Sequence, residues 1–301
     1  MTKDESLEIT GHIASVIAQY APGISYTAEE LQNARETYSE KKLKELEQEG
    51  FYFGDFELFF VMLRFLSGMD LWNRADEKYL KKLFASAKKM DATQFQKNPY
   101  LSCVKIREQK QGNILLTNSF YKKGEFFQYD MPSLRDEIVV PKIGFFTKKV
   151  SFPAVYEGNT PWVSVCPSEI FSMEPDVNAA YGNTLVLGLG LGYYPFRISF
   201  SEKVKSITIV EKNPDIISLF QKEILPQFPH REKIRVVEED AFDFLKKTSP
   251  GKFNFCYADI WEGWEDGAKA YQKIEKEEIR LKGTDFRYWI KDEILWYLEN
   301  A

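Results

Sequence analysis

The ten residues Thr184-Leu-Val-Leu-Gly-Leu-Gly-Leu-Gly-Tyr193 constrain this chain more than any other stretch. Leu185–Leu187 is a short apolar run that reads as a buried strand. It passes directly into Gly188, Gly190 and Gly192, and residues compatible with a helix follow. Glycines at this spacing let the backbone turn sharply out of a strand and approach a ligand closely. Such a turn ends at a helix N-terminus, where free N–H groups can hold polar ligand atoms. The same turn also occurs as plain architecture, so the glycines alone leave the function open.

The following segments narrow the reading. Lys205–Val210 is a second apolar strand ending in Glu211. Its distance from the glycines suits an acid that accepts hydrogen bonds from both ribose hydroxyls of a nucleoside. A third strand, Ile234–Val237, leads to Asp240, in reach of an adenine amino group or placed to cap the helix at Ala241–Lys247. A fourth, Phe253–Ala258, ends in Asp259. Ile216, Ile217, Phe220 and Ile224 share a helical face, so strands and helices alternate, which calls for a parallel sheet. Acidic groups then follow strands two, three and four at the carboxyl ends, where open parallel sheets form their ligand crevice.

Gly188-x-Gly190-x-Gly192, Glu211, Asp240-Ala241 and Asp259 resemble the first four motifs of class I S-adenosylmethionine-dependent methyltransferases over roughly residues 183–262. Asp240-Ala-Phe-Asp-Phe-Leu245 with Asp259 is similar to the pattern of aminopropyltransferases, which share the fold and use decarboxylated S-adenosylmethionine. The resemblance implies a Rossmann-like domain and S-adenosyl-L-methionine as cofactor. It implies contacts from Gly188, Gly190, Gly192, Tyr193, Glu211, Asp240 and Ala241, and Asp259 as the catalytic group beside the acceptor. The chain departs from the family after Asp259: the remaining residues read as helices at Gly267–Leu281 and Asp285–Leu298, so a reduced sheet of four strands in the order 3-2-1-4 is expected.

Asp259-Ile-Trp-Glu-Gly-Trp-Glu-Asp266 joins four carboxylates to two indoles. That pairing suits a cation, with Trp261 and Glu262 as substrate contacts and an amine as the acceptor. The plainer alternative makes Glu262, Glu265 and Asp266 the acidic start of a helix, with Trp261 and Trp264 as packing. Three functions other than a methyltransferase acting on a small molecule or protein side chain stay open: an aminopropyltransferase, a nucleic-acid methyltransferase, and an inactive module that binds the cofactor.

Three regions are expected: a helical segment over 1–98, an antiparallel β-rich one over 99–166, and the Rossmann-like domain over 167–301. In the first, Thr27-Ala-Glu-Glu30 is a capping box, and helices are expected at Phe56–Leu66 and Glu77–Met90. In the second, Tyr100–Ile106, Asn113–Thr117, Glu125–Tyr129, Glu137–Val140 and Val150–Val155 read as strands, with Pro141 as a stop. A helix at Ser168–Ala180 bridges to the glycines. A net charge of −5 argues against nucleic acid as partner. Three cysteines without C-x-x-C spacing and two histidines give little support for a disulfide scaffold or a metal site, and a reducing cytoplasm fits. No apolar run is long enough to cross a bilayer.

Overall fold

The computed structural model describes residues 88–300 apart from 124, 136 and 137, together with the single positions 74, 78, 79 and 82. The capping box at Thr27–Glu30, the helix at Phe56–Leu66 and most of the helix at Glu77–Met90 lie outside the described residues. Before the glycine turn the elements run β1 (Lys88–Met90), α1 (Ala92–Gln96), α2 (Pro99–Cys103), β2 (Gln109–Gln111), β3 (Ile114–Tyr121), β4 (Phe126–Arg135), β5 (Ile138–Phe146), β6 (Val150–Glu157), β7 (Thr160–Ser164) and α3 (Pro167–Ala179). The chain forms two compact units, one of residues 1–95 and 120–150, the other of 96–119 and 151–301.

Two sheets form from the strands read as one antiparallel region. In the first unit β5 lies between β1, its parallel partner, and β4, its antiparallel one. Lys88–Met90, expected as the end of a helix, is therefore a strand. Phe95, Phe127 and Phe146 pack beneath this sheet with ring centroids 5.2–5.3 Å apart. Pro141, expected to end a strand, sits inside β5. It lies opposite the register shift between Asp130 and Ser133 of β4, where the ladder is interrupted and a proline is tolerated. The second sheet has the order β2-β3-β6-β7.

Tyr100–Ile106 is also corrected: Pro99–Cys103 is the helix α2. Asn98 caps it, its Oδ1 accepting from Tyr100 N–H at 3.0 Å, and Pro99 takes the first turn, where a missing N–H costs nothing.

The second unit is built on five parallel strands. They are β8 (Gly182–Leu187), β9 (Val204–Glu211), β10 (Ile234–Glu238), β11 (Phe255–Ala258) and β12 (Asp285–Tyr288), in the order β10-β9-β8-β11-β12. Between them run α4 (Tyr193–Ser199), α5 (Pro214–Leu219) continued by a π-helical turn at Phe220–Ile224, α6 (Ala241–Lys247) and α7 (Trp264–Arg280); α8 (Lys291–Asn300) follows β12. This is an α/β protein with a Rossmann-like parallel sheet. Thr184–Leu187 of central β8 is fully buried, as a strand covered on both faces requires.

The four-strand expectation fails at β12. Asp285-Phe-Arg-Tyr288 alternates, with Phe286 and Tyr288 buried and the charged pair outward, and it pairs with β11 from Phe255↔Asp285 to Ala258↔Tyr288. The helix expected to start at Asp285 instead begins at Lys291. Four residues at a sheet edge are too few for a period-two signal to stand out. No described helix is long and apolar enough to cross a membrane.

Candidate functional site

Backbone bonds continue the sheet alignment one residue past each strand. Gly188 N–H donates to Val210 O at 2.9 Å, Glu239 N–H to Glu211 O at 3.0 Å, Asp259 N–H to Leu187 O at 2.9 Å, and Trp289 N–H to Ala258 O at 3.0 Å. The glycine turn, Glu211, Asp240, Asp259 and Trp289 are thereby brought to one edge. A cavity of about 650 Å³ lies there, lined by all five of these features.

The turn itself is held by neighbours. Gly188 has φ +95°, and a Cβ on it would stand 1.9 Å from the Asp259 carbonyl oxygen. Gly192, at φ +71° and heading α4, would place a Cβ 2.4 Å from the Phe220 ring, which the π-helical turn seats beneath it. Gly188 and Gly190 line the cavity; Gly192 stands outside its lining. Helix α2 braces the turn: Tyr100 donates its hydroxyl to Leu191 O at 2.5 Å, and Asn98 Nδ2 donates to the Tyr193 hydroxyl at 3.0 Å.

Glu211 is buried and already bonded. Its Oε2 accepts from Leu189 N–H at 3.1 Å, and its Oε1 accepts from Lys212 and Asn213 N–H at 2.8 Å each. A carboxylate has about four acceptor positions. Three are filled by these backbone groups, which leaves one free. Asp240 caps the helix, as the second reading asks. Its Oδ1 accepts from Phe242 and Asp243 N–H at 2.9 and 3.2 Å, capping α6, and its second oxygen remains on a cavity-lining residue next to Ala241.

Tyr193 and Tyr194 are buried and line the cavity. Tyr194 stacks on Tyr257 of β11 at 3.8 Å and 13°. Trp261 and Glu262 line the cavity as well, in different states: Trp261 is buried in the core cluster around α7, and Glu262 is exposed. The plainer reading of the acidic loop holds for Asp266, which accepts from Glu262 and Gly263 N–H at 2.9 and 3.0 Å and so caps α7. It does not hold for Trp264, which is 47% exposed rather than packed.

The sequence reading missed the opposite wall. Val163 of β7, Met173 and Glu169 of α3, and Tyr257 all line the cavity. Burial pushes the Glu169 carboxyl up to about 8, and the Asp259 charge adds to the rise. Burial pushes Asp259 up to about 7. The N-terminal turn of α3 favours an ionised Glu169 by only about 0.3–1 kcal/mol, too little to reverse this. The Tyr257 hydroxyl and Trp261 Nε1 are buried with no hydrogen-bond partner among the described residues. Glu169 was legible as an acid in a first helical turn, but nothing in the sequence pointed α3 at the cavity.

No family model and no curated protein matches this sequence. Similar solved structures include a precorrin-8W decarboxylase of Methanobacterium thermoautotrophicum, 16% identical, covering 44% of this chain and 70% of that one with a TM-score of 0.33. Another is the spermidine synthase of Thermotoga maritima, 10% identical, covering 42% of this chain with a TM-score of 0.32. The match takes in 49% of that synthase chain. Likeness at this level assigns nothing to the chain, and the fold class above rests on its own strand order.

Proposed function

We propose that the protein is an S-adenosyl-L-methionine-dependent transferase acting on a small molecule or a protein side chain, with an amine as the acceptor class that fits best. The supporting observation is that one cavity is lined by two sets of groups. One set is the Gly188–Gly190 turn, the spare acceptor position of Glu211 and Asp240. The other is Asp259, Glu169 and Tyr257 with its unpartnered hydroxyl. The first set suits a ribose and an adenine amino group; the second suits a group that sheds a proton as it reacts.

When bound, the cofactor supplies an activated sulfonium carbon. The chain has to orient the acceptor and take its proton. Asp259, raised toward neutrality by burial, is matched to that task far better than a carboxylate at its ordinary value. Trp261, Tyr193 and Tyr194 give the cavity a buried aromatic lining.

A second reading, an aminopropyltransferase, is favoured by the same acidic lining, which opposes a cofactor carboxylate and suits its decarboxylated form. Calorimetry with S-adenosylmethionine, S-adenosylhomocysteine and decarboxylated S-adenosylmethionine separates the two. Binding of the first two is expected; a clear preference for the third selects the second reading. Binding of none of them overturns both. Transfer is then assayed with amines, carboxylates, phenols and RNA, and methylation of only a non-amine would overturn the acceptor class.

A further inference from the structure

We infer that Glu169 is a second proton-holding residue of this site, acting with Asp259 as one carboxyl pair that carries a single proton and a single negative charge at neutral pH. The inference rests on reading the cavity as a transferase site. It stands on placement. The two carboxyl groups reach the cavity from separate elements, Glu169 from the first turn of α3 and Asp259 from the loop after β11. Among the described residues, neither carboxylate has a hydrogen-bond or ion-pair partner.

The independent observation is Tyr257. Its side chain is fully buried, it lines the same cavity, its hydroxyl is without a partner, and both carboxylates act on it electrostatically. A buried hydroxyl left without a partner, on a cavity lined by two acids, needs an acceptor or donor that a ligand or the pair itself must supply.

The cations on the cavity lining, Lys212, Lys269 and Lys273, are all exposed, and none of them holds either carboxyl down. From α4 comes Tyr194, from α3 Asp176, and both act on Tyr257 in the sense that disfavours more negative charge. Glu157 of β6 and Glu262 after β11 stand elsewhere on the cavity lining. Lys273 of α7 lies over the Phe242 ring at 5.0 Å, and Lys269 is exposed. Two like charges in such a place do not both ionise at neutral pH. Asp259 ionises first and Glu169 keeps the proton, because burial raises Glu169 further than Asp259 and the Asp259 charge adds to that rise.

The proton account closes. With a sulfonium cofactor in place, an acceptor would commit its lone pair to the new bond as the carbon–sulfur bond breaks and its electron pair returns to sulfur, and the acceptor's proton would go to ionised Asp259. The pair then holds two protons and no charge, and releasing one to solvent restores it. Glu169 acts through Asp259 and is a positioning residue in this scheme.

The test is an infrared titration of protonated carboxyl groups on the full chain, wild type, Glu169→Gln and Asp259→Asn, between pH 5 and 10 (about the span of the raised groups). Calorimetric binding of S-adenosylhomocysteine is measured alongside. The wild type should show two steps near and above neutrality. Glu169→Gln should remove the upper step and leave the lower one within about half a pH unit, because Glu169 is neutral while Asp259 titrates, whereas Asp259→Asn should remove the lower step and move the remaining one down by about one pH unit or more. S-adenosylhomocysteine affinity should change by less than about threefold in both. Steps at ordinary carboxyl values in the wild type, or a Glu169 step unmoved in Asp259→Asn, would overturn the pair. The wild-type titration decides even if one variant fails to fold. Absence of S-adenosylhomocysteine binding with the coupled steps intact would refute the transferase reading and leave the pair standing.

Discussion

Replacing Glu211 tests the site and the fold at once, because its carboxylate ties three backbone N–H groups. Leu189 belongs to the glycine turn, and Lys212 and Asn213 open the segment after β9. In Glu211→Ala, water can reach the N–H groups of Lys212 and Asn213, whose bonds are only partly buried, but not that of Leu189, whose bond is buried. A buried N–H left without a partner costs about 1–3 kcal/mol, and two rehydrated bonds to a charged group lose about 1 kcal/mol each, so about 3–5 kcal/mol in all. Glu211→Gln keeps one carbonyl oxygen for Lys212 and Asn213 but turns an amide toward Leu189 N–H. It should therefore cost about 1–3 kcal/mol. Urea denaturation measures both, and at this size each kcal/mol lowers the melting temperature by about 2–4 °C. Cofactor affinity should fall with stability in the same order, Ala beyond Gln. Lost affinity at unchanged stability in Glu211→Ala would refute the tie and make this acid a ribose contact alone.

The raised pair predicts how stability depends on pH. Asp259 and Glu169 have folded-state values raised to about 7 and about 8, so the folded chain binds more protons than the unfolded one above the ordinary carboxyl range. Their contribution is complete below about pH 4 and is lost as pH rises through 7 to 8. Because both groups open on a cavity that admits water, about 1–2 kcal/mol is expected between pH 6 and 9 rather than the full shift. Urea midpoints of wild type and Asp259→Asn at those two pH values check it; an equal pH slope in the variant would sink the assignment. Gly188→Ala should destabilise by roughly 3–5 kcal/mol, since its methyl would meet the Asp259 carbonyl at 1.9 Å on a backbone at φ +95°. Gly190→Ala, at φ +51° with Val163 3.3 Å away, should cost only about 1 kcal/mol. Its effect should fall mainly on cofactor binding, measured by calorimetry.

The sequence by itself determined the centre of the sheet. Local signals carried β8, β9, β10 and β11, the helix at Ala241–Lys247 and the acids that follow three of these strands. A fully buried strand is a continuous apolar run, and a turn that needs left-handed backbone needs glycine. It missed β12 because four residues at an edge alternate too briefly, and it missed α2 because Tyr100, Leu101 and Val104 carry strand-like composition, although Asn98-Pro99 was a helix start in plain view. Only the tertiary structure decided that Glu211 is already tied to three N–H groups, and that α3 and β7 wall the cavity. Only it set Glu169 beside Asp259. Those facts depend on which surfaces meet across long stretches of chain. A carboxyl group's charge depends on its neighbours and its water, neither of which is written next to it in the sequence.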